Sequence, residues 1–426
     1  MNSHERTLRE YSASLIENVA LMKKILVLGG GADQIDLILD LKERGYYTVL
    51  VDYYPNPVAK TYADKHVQVS TLDLEAVLQV AKEENVENVI TACTDQALVT
   101  VAYVANILGF HTQFSYEKAL DVTNKLRMKE IMIANNIPTA KFVNIETLDE
   151  GVADLKYPLM IKPADSGSSK GVRKANNPHE LKTLFDYAQE QSRTSRVIVE
   201  EFKPGIEVGI DCYILNGKAQ LLMMGQVNKK KVNENTLLIF QTFIPAQISD
   251  KAKENIQTIA NNIARVFELE NTPLLIQTLV DGEEVNVIEF AARIGGASKH
   301  RTIQIKTGFN ILHANVDAVL GEIPEVKTIP NDYFYSRNHI YPYPCTFDHF
   351  EGVEDLLTEG LIEELIPYKT LGMKSANTWS SSDRVGSFLV KARTMDELKE
   401  KIAEVIKRLR VIDSEGNEVL NREIYN

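Results

Sequence analysis

The sequence predicts an α/β protein that begins with a doubly wound parallel sheet and continues as α+β. Three observations carry this prediction. Short apolar runs alternate with helical stretches from residue 24 to 108, strands and turns dominate after Tyr157, and a last mixed segment follows Pro330. A chain of 426 residues has room for two or three domains. Hydrophobic residues make up 44% and charged residues 25%, the balance of a globular enzyme rather than a disordered chain.

In residues 1–21, His4, Glu5, Arg6, Arg9 and Glu10 interrupt short apolar stretches, and no signal-peptide core stands out. Leu8, Tyr11, Leu15 and Val19 fall at helical spacing. The segment reads as an amphipathic surface helix, with an oligomer contact as the alternative. A first strand over residues 24–28 runs into Gly29-Gly30-Gly31, a helix follows over 35–44, and a second strand over 47–51 ends at Asp52. Residues 86–91 read as another strand and 95–108 as a helix. Thr123 is placed to cap a helix over 125–135 that stops before Pro138. Strands are expected at 159–163, 197–199 and 208–215, the last turning at Asn216-Gly217. Residues 274–280 and 285–290 flank Asp281-Gly282 as a hairpin, and 395–409 form the closing helix.

Several function classes are set aside. Cys93, Cys212 and Cys345 form no CxxC pair, which fits a reducing cytoplasm and argues against a thiolate metal site. A formal charge of −12 repels nucleic acid, and no run of 18 apolar residues suggests a membrane span. The Gly29–Gly31 turn and Asp52 suggest a dinucleotide site, but Gly-Gly-Gly-Ala-Asp-Gln is not the G-x-G-x-x-G that admits a pyrophosphate. A structural turn is preferred there, with a dinucleotide oxidoreductase kept as a rival.

The chemistry concentrates further on. Residues 162–171 read Lys-Pro-Ala-Asp-Ser-Gly-Ser-Ser-Lys-Gly, a fixed cation followed by flexible backbone donors, as a polyphosphate requires. No Walker loop is present, and a plain surface loop would look the same. Lys125 lies upstream in Asn-Lys-Leu-Arg-Met-Lys, and Glu200-Glu201-Phe202-Lys203-Pro204-Gly205-Ile206-Glu207 lies downstream. Gln277 precedes Glu289 by twelve residues across the expected hairpin, and Arg293, Gly295 and Gly296 follow. Each piece alone has a bland reading as solvated lysines, an exposed strand end or a local ion pair. Their joint order has none.

That order resembles the ATP-grasp superfamily over about residues 22–426. The Gly29–Gly31 turn and Asp52 resemble those of purine-biosynthesis members such as the carboxyaminoimidazole and glycinamide ribonucleotide synthetases. Ser381-Ser382-Asp383-Arg384-Val385-Gly386 is similar to the C-terminal part of that group and of the L-amino-acid ligases. The resemblance implies an N-terminal extension over 1–21, a parallel-sheet domain over 22–118, a two-lobed ATP-grasp core over 119–330 with a lid at about 140–206, and a C-terminal portion over 331–426.

By the same resemblance, Lys125 and Lys162 hold the α- and β-phosphates. Ser166, Gly167, Ser168 and Ser169 belong to the lid loop over the triphosphate. Glu200, Glu201 and Lys203 lie in the linker that reads adenine, and Glu207 accepts from the ribose hydroxyls. Gln277 and Glu289 face magnesium, for which manganese can substitute. Arg293 steadies the transferring phosphoryl group, and Gly295 and Gly296 let the backbone approach the substrate. His300 and His339 are candidates for the substrate side, with ordinary core or surface roles as the alternative. Two departures stand out: many members carry a second carboxylate in place of Gln277 and an asparagine in place of Ala291. They leave open a single metal ion, or a nucleotide-binding regulator without turnover.

The implied reaction places a carboxylate against the γ-phosphate of Mg-ATP, forms an acyl phosphate and ADP, and ends when an amine displaces phosphate. An amino-acid or peptide ligase is favoured by elimination. Residues 226–247 lack the signature associated with the bicarbonate site of biotin carboxylases, and no substrate-phosphate site is found for a glycinamide-ribonucleotide-type synthetase, which remains the alternative. The expected partners are ATP, a small carboxylate and an amine, with a second copy of the chain as the one macromolecular candidate.

Overall fold

Strands β1 (Lys24–Leu28), β2 (Tyr47–Val51), β3 (Lys65–Val67) and β4 (Asn88–Ile90) form a sheet in the order β3-β2-β1-β4, every pair parallel. β1, β2 and β4 are nearly continuous apolar runs because helices cover a parallel sheet on its faces. Leu26, Leu28, Val49 and Val51 pack against Val77, Leu78, Ala97 and Val101 of helices Leu74–Glu84 and Asp95–Leu108. The computed structural model describes residues 22–148, 151–164, 171–233, 236–329, 331–376 and 378–425, so the expected N-terminal helix lies outside the described residues.

The glycine turn after β1 is a closed structural turn. Gly29 N donates to the Val51 carbonyl at 2.9 Å and Gly30 N to Asp52 Oδ2 at 2.7 Å. A Cβ on Gly30 would stand 2.4 Å from Pro57 Cβ, so the space that a pyrophosphate would enter is filled by the chain itself. Residues 312–325 fold with this unit rather than with their neighbours in sequence. There Arg44 meets Asp317 at 2.7 Å, and Asn88 donates to the Val319 carbonyl at 2.9 Å.

The second unit comprises residues 120–311 and those from 326 onward. Its smaller sheet holds β5 (Phe142–Ile145), β6 (Leu159–Pro163), β7 (Arg173–Ala175) and β8 (Val197–Glu201), antiparallel in the order β5-β8-β6-β7. Helix Pro178–Glu190 closes it through Leu181, Phe185 and Ala188. The chain continues with β9 (Ile206–Leu215), β10 (Lys218–Asn233), β11 (Thr236–Ile244), β12 (Thr272–Asp281) and β13 (Glu284–Ala291). Then come β14 (Phe334–Ile340), β15 (Cys345–Glu351), β16 (Glu364–Pro367), β17 (Lys374–Ser375), β18 (Gly386–Ala392) and β19 (Arg410–Asp413). An antiparallel sheet of eight strands runs β13-β12-β9-β10-β11-β14-β18-β16, and β17-β15-β19 form a small third sheet.

Both expected hairpins occur. Asn216 and Gly217 have φ of 52° and 69°, as a two-residue turn matched to strand twist requires. Asp281 pairs with Glu284 around the second turn. One face of the large sheet is apolar: Ile340, Phe388 and Val390 pack on Leu398, Ile402 and Val405 of helix Met395–Arg408. The opposite face carries the polar residues described below. Helix Lys125–Ala134 is capped by Asn124, one residue after the expected Thr123, because the Asn124 side chain accepts from Leu126 N at 3.0 Å and Arg127 N at 3.2 Å. Among the described residues, no helix is long and apolar enough to cross a membrane.

The link from β8 into β9 turns at Gly205, whose φ is +116°, and a Cβ there would stand 2.4 Å from the Val280 carbonyl oxygen. Both the backbone and the space demand glycine. Gly205→Ala should therefore lower stability by about 2 kcal/mol or more. The check is urea unfolding followed by Trp379 fluorescence, the single tryptophan and a reporter of this unit.

Candidate functional site

Directly paired residues on antiparallel strands point to the same side of a sheet. Gln277 on β12 pairs with Gly209 on β9 and with Glu289 on β13, so a row Glu289–Gln277–Gly209 crosses three strands. Glu207 and Asp211 flank Gly209 at two-residue spacing and share its face. The register carries this face onward from Glu207 to Val227, Thr242 and Arg337, with His339 beside Arg337 on β14.

Lys125 and Lys129 lie one turn apart on helix Lys125–Ala134. Lys125 Nζ is 3.0 Å from Glu289 Oε2. Lys129 Nζ is 3.0 Å from Glu200 Oε2 and 3.0 Å from Thr139 Oγ1. Lys162, near the end of β6, donates to the other oxygen of Glu200. Successive strand residues face opposite ways, so Glu200 turns to these lysines while Glu201 accepts from the Lys156 amide at 3.1 Å.

The electrostatics follow from this packing. Burial raises the Glu200 carboxyl, but the Lys162 and Lys129 ammoniums outweigh it and bring the group down to about 2. Burial lowers Lys129, with Lys162 acting in the same direction and Glu200 against both. Glu289 is pushed up by burial and more strongly down by Lys125, then by Lys162 and Arg293, so it stays ionised. Lys125, Lys129, Lys162 and Arg293 outnumber Glu200 and Glu289 by two charges, a surplus that suits a polyphosphate.

The remaining site residues fall as follows. Glu207 pairs with Lys229, and Asp211 with Lys299 at 2.9 Å. Arg293 Nη1 donates to the Ile294 carbonyl at 2.7 Å. Gly295 is buried and Gly296 partly exposed, just ahead of helix Lys299–Thr307. Lys203 is partly exposed beyond β8. His300 and His339 are 4% and 3% exposed, so both sit in the interior. Burial first, then Arg384, Arg337 and Lys299, hold the His339 imidazole neutral, well below its usual range. Ser166, Gly167, Ser168 and Ser169 lie outside the described residues.

The Glu289 carboxylate and the Gln277 amide oxygen, adjacent in one row, are hard oxygen donors that fit magnesium. Ala291 adds none. Four residues escaped the sequence reading: Lys129, Asp211, Lys299 and Arg337. Lys129 had a signal in its four-residue spacing from Lys125, and Arg337 in being a lone cation on an otherwise buried strand. Asp211 and Lys299, 88 residues apart, had none.

An antiparallel sheet whose lysines and carboxylates meet a second, smaller sheet in this order is the ATP-grasp arrangement. Residues 131–285 match the family model described as D-ala D-ala ligase C-terminus. The formate-dependent phosphoribosylglycinamide formyltransferase of Prochlorococcus marinus (strain NATL1A) is 25% identical over 413 residues, covering 92% of this chain and 98% of the relative. The solved phosphoribosylglycinamide synthetase of Anaerococcus prevotii matches with a TM-score of 0.73 at 20% identity, over 92% of this chain and 100% of the other. The L-amino acid ligase of Bacillus licheniformis matches with a TM-score of 0.74 at 19% identity, over 92% and 99%. Residues 131–285 thus match an ATP-grasp domain, and over about nine-tenths of its length the chain is similar in sequence and fold to ATP-grasp ligases.

Glu200→Gln leaves Lys129 and Lys162 facing each other without a counter-charge, and should cost about 3–5 kcal/mol. The sign with pH is fixed by the direction of the shift. A carboxylate brought from its ordinary 4.5 down to about 2 stabilises fully above 4.5, and that contribution disappears as pH falls through 2. Urea midpoints measured between those limits should therefore fall less steeply for Glu200→Gln than for the parent.

Proposed function

We propose that the protein joins a small carboxylate to an amine at the expense of ATP, through an acyl phosphate, and that the carboxylate belongs to an amino acid or short peptide. The observation that carries this is the surplus of fixed cations around Glu200 and Glu289, beside one pair of hard oxygen donors. Lys125, Lys129 and Lys162 bind and orient the phosphates. Glu207 keeps acceptor capacity for a ribose hydroxyl beside Lys229, since a carboxylate has about four lone-pair sites. Glu289 and Gln277 would hold magnesium, which would screen negative charge on the nucleotide when bound. Arg293 stands where charge develops as the γ-phosphoryl group moves to the substrate carboxylate. The amine then attacks the acyl carbon and phosphate leaves. Three cysteines without a CxxC pair suit a reducing cytoplasm.

The amino-acid reading gains support from the closed turn at Gly29–Gly30, whose amides are already engaged and offer no cradle to a substrate phosphate. The full-length likeness to a formate-dependent formyltransferase favours a second reading, with formate as the carboxylate and a ribonucleotide amine as acceptor. A screen of ADP release decides between them, with products identified by mass spectrometry. Release that requires two amino acids supports the first reading, and release only with formate plus a ribonucleotide amine supports the second. ATP binding without release in any mixture would leave a regulator.

Two substitutions should separate binding from chemistry. Lys162→Ala removes a charge-assisted contact and should weaken ATP binding about tenfold to a hundredfold in calorimetry, with some loss of stability because buried Glu200 keeps only Lys129 as counter-charge. Glu289→Gln should lower kcat by about two to three orders of magnitude while leaving ATP affinity within a few fold, because its charge acts chiefly as the phosphoryl group transfers.

A further inference from the structure

The mechanism so far leaves Asp211 and Lys299 without a role. Lys299 opens helix Lys299–Thr307, and its side chain runs back over Gly295 to place Nζ 2.9 Å from Asp211 Oδ2. A Cβ on Gly295 would stand 2.4 Å from Lys299 Cδ and 2.9 Å from Asp211 Oδ1, and a Cβ on Gly209 would stand 3.1 Å from Nζ. The two glycines leave the corridor in which this lysine lies.

The row across the sheet gives its position. Gly209 is opposite Gln277, which is opposite Glu289, so the ammonium stands about one strand spacing (~5 Å) from the Gln277 column and about two (~10 Å) from Glu289. Read across, the row is a carboxylate, a neutral amide and a fixed ammonium. The Asp211 side chain is 3% exposed and that of Lys299 23%, so the carboxylate is buried while the lysine side chain keeps some access to solvent.

We propose that Lys299 is a catalytic cation of the phosphoryl-transfer site, that Asp211 is its positioning residue, and that together they supply charge that a second divalent ion would otherwise have to bring. The inference rests on the ligase reading above. One carboxylate and one neutral amide suffice for one magnesium ion that keeps waters and takes phosphate oxygens. A second ion beside them would meet an ammonium that already occupies the nearby Asp211 carboxylate, and like charges at such range repel. An ammonium carries three donors, so Lys299 keeps donors for phosphoryl and acyl oxygens while it holds Asp211. A purely structural pair, tying the helix to β9, would affect stability alone.

The test uses the full chain with ADP, aluminium fluoride as a mimic of the transferring phosphoryl group, and manganese counted by electron paramagnetic resonance. The parent should bind one manganese ion per ADP–aluminium fluoride complex. Lys299→Met should bind ADP within threefold of the parent but lose at least tenfold of the added affinity that aluminium fluoride confers. Lys299→Arg should retain most of that gain, and Asp211→Asn should lose part of it with the manganese count unchanged. The proposal is overturned by two manganese ions in the parent complex, or by a Lys299→Met protein whose aluminium fluoride gain equals the parent's. If Lys299→Met fails to fold, the Arg and Asn variants and the parent's manganese count carry the same decision. A parent that binds no ADP would overturn the ligase reading itself, an outcome distinct from these.

Discussion

Glu200 gives up its water at the end of β8, and a buried carboxylate without compensation would cost several kcal/mol. Lys129 from a helix and Lys162 from β6 offset that loss together, so three separate segments are held to one point. The constraint propagates. Lys129 also donates to Thr139 at 3.0 Å, Thr139 donates to the Val287 carbonyl at 2.8 Å, and Val287 N donates to the Pro138 carbonyl at 2.7 Å. Val287 lies on β13 two residues before Glu289, which the same helix reaches through Lys125. Fixing Glu200 therefore ties the small sheet to the hairpin of β12 and β13.

The same logic repeats over the polar face. Glu289 has Lys125, Glu207 has Lys229 and Asp211 has Lys299, so each of these carboxylates is matched by an ammonium before any nucleotide arrives. On the ligase reading, cations held this way are already oriented, and little reorganisation remains when phosphates bind them. Partner exchange moderates the gain, since a phosphate must compete with a carboxylate for each lysine. Affinity and positioning are thereby separated: the carboxylates place the lysines, and the surplus of cations provides the attraction.

How far this was legible in the sequence depended on whether the signal was local. The hairpins at Asn216-Gly217 and Asp281-Gly282 and the helix ending at Leu108 follow from turn chemistry and periodicity, and they stand where expected. Lys125, Lys162, Gln277 and Glu289 emerged from order along the chain. Glu200 was read as part of an adenine-reading linker, and what the sequence did not reveal is that its side chain pairs with Lys129 and Lys162 while Glu201, on the other face of the strand, accepts from the Lys156 amide. Lys129 contradicts the ordinary expectation that lysine is exposed, and only a three-dimensional view supplies its counter-charge. The pair Asp211–Lys299 depends on Gly209 and Gly295 being bare, and a glycine in a sequence does not reveal what passes over it. Residues 312–325 return to the first unit through contacts such as Arg44–Asp317, which no local pattern records.

On the ligase reading, the continuity of the large sheet explains how one surface serves two half-reactions. Strand register links Glu289 and Gln277 to Gly209, and Glu207 through Val227 and Thr242 to Arg337. Phosphoryl transfer needs charge at the β13 end, whereas the acyl group must be held further along. Arg337 is itself fixed there, donating to Thr302 Oγ1 at 2.7 Å and pairing with Glu364. His339 beside it stays neutral, which keeps a further positive charge out of a region already holding Arg337, Arg384 and Lys299. A protonated imidazole in that place would add repulsion against these three cations. The sheet thus grades from metal donors to fixed cations, and Lys299, reaching in from a helix over two glycines, stands where the two halves meet.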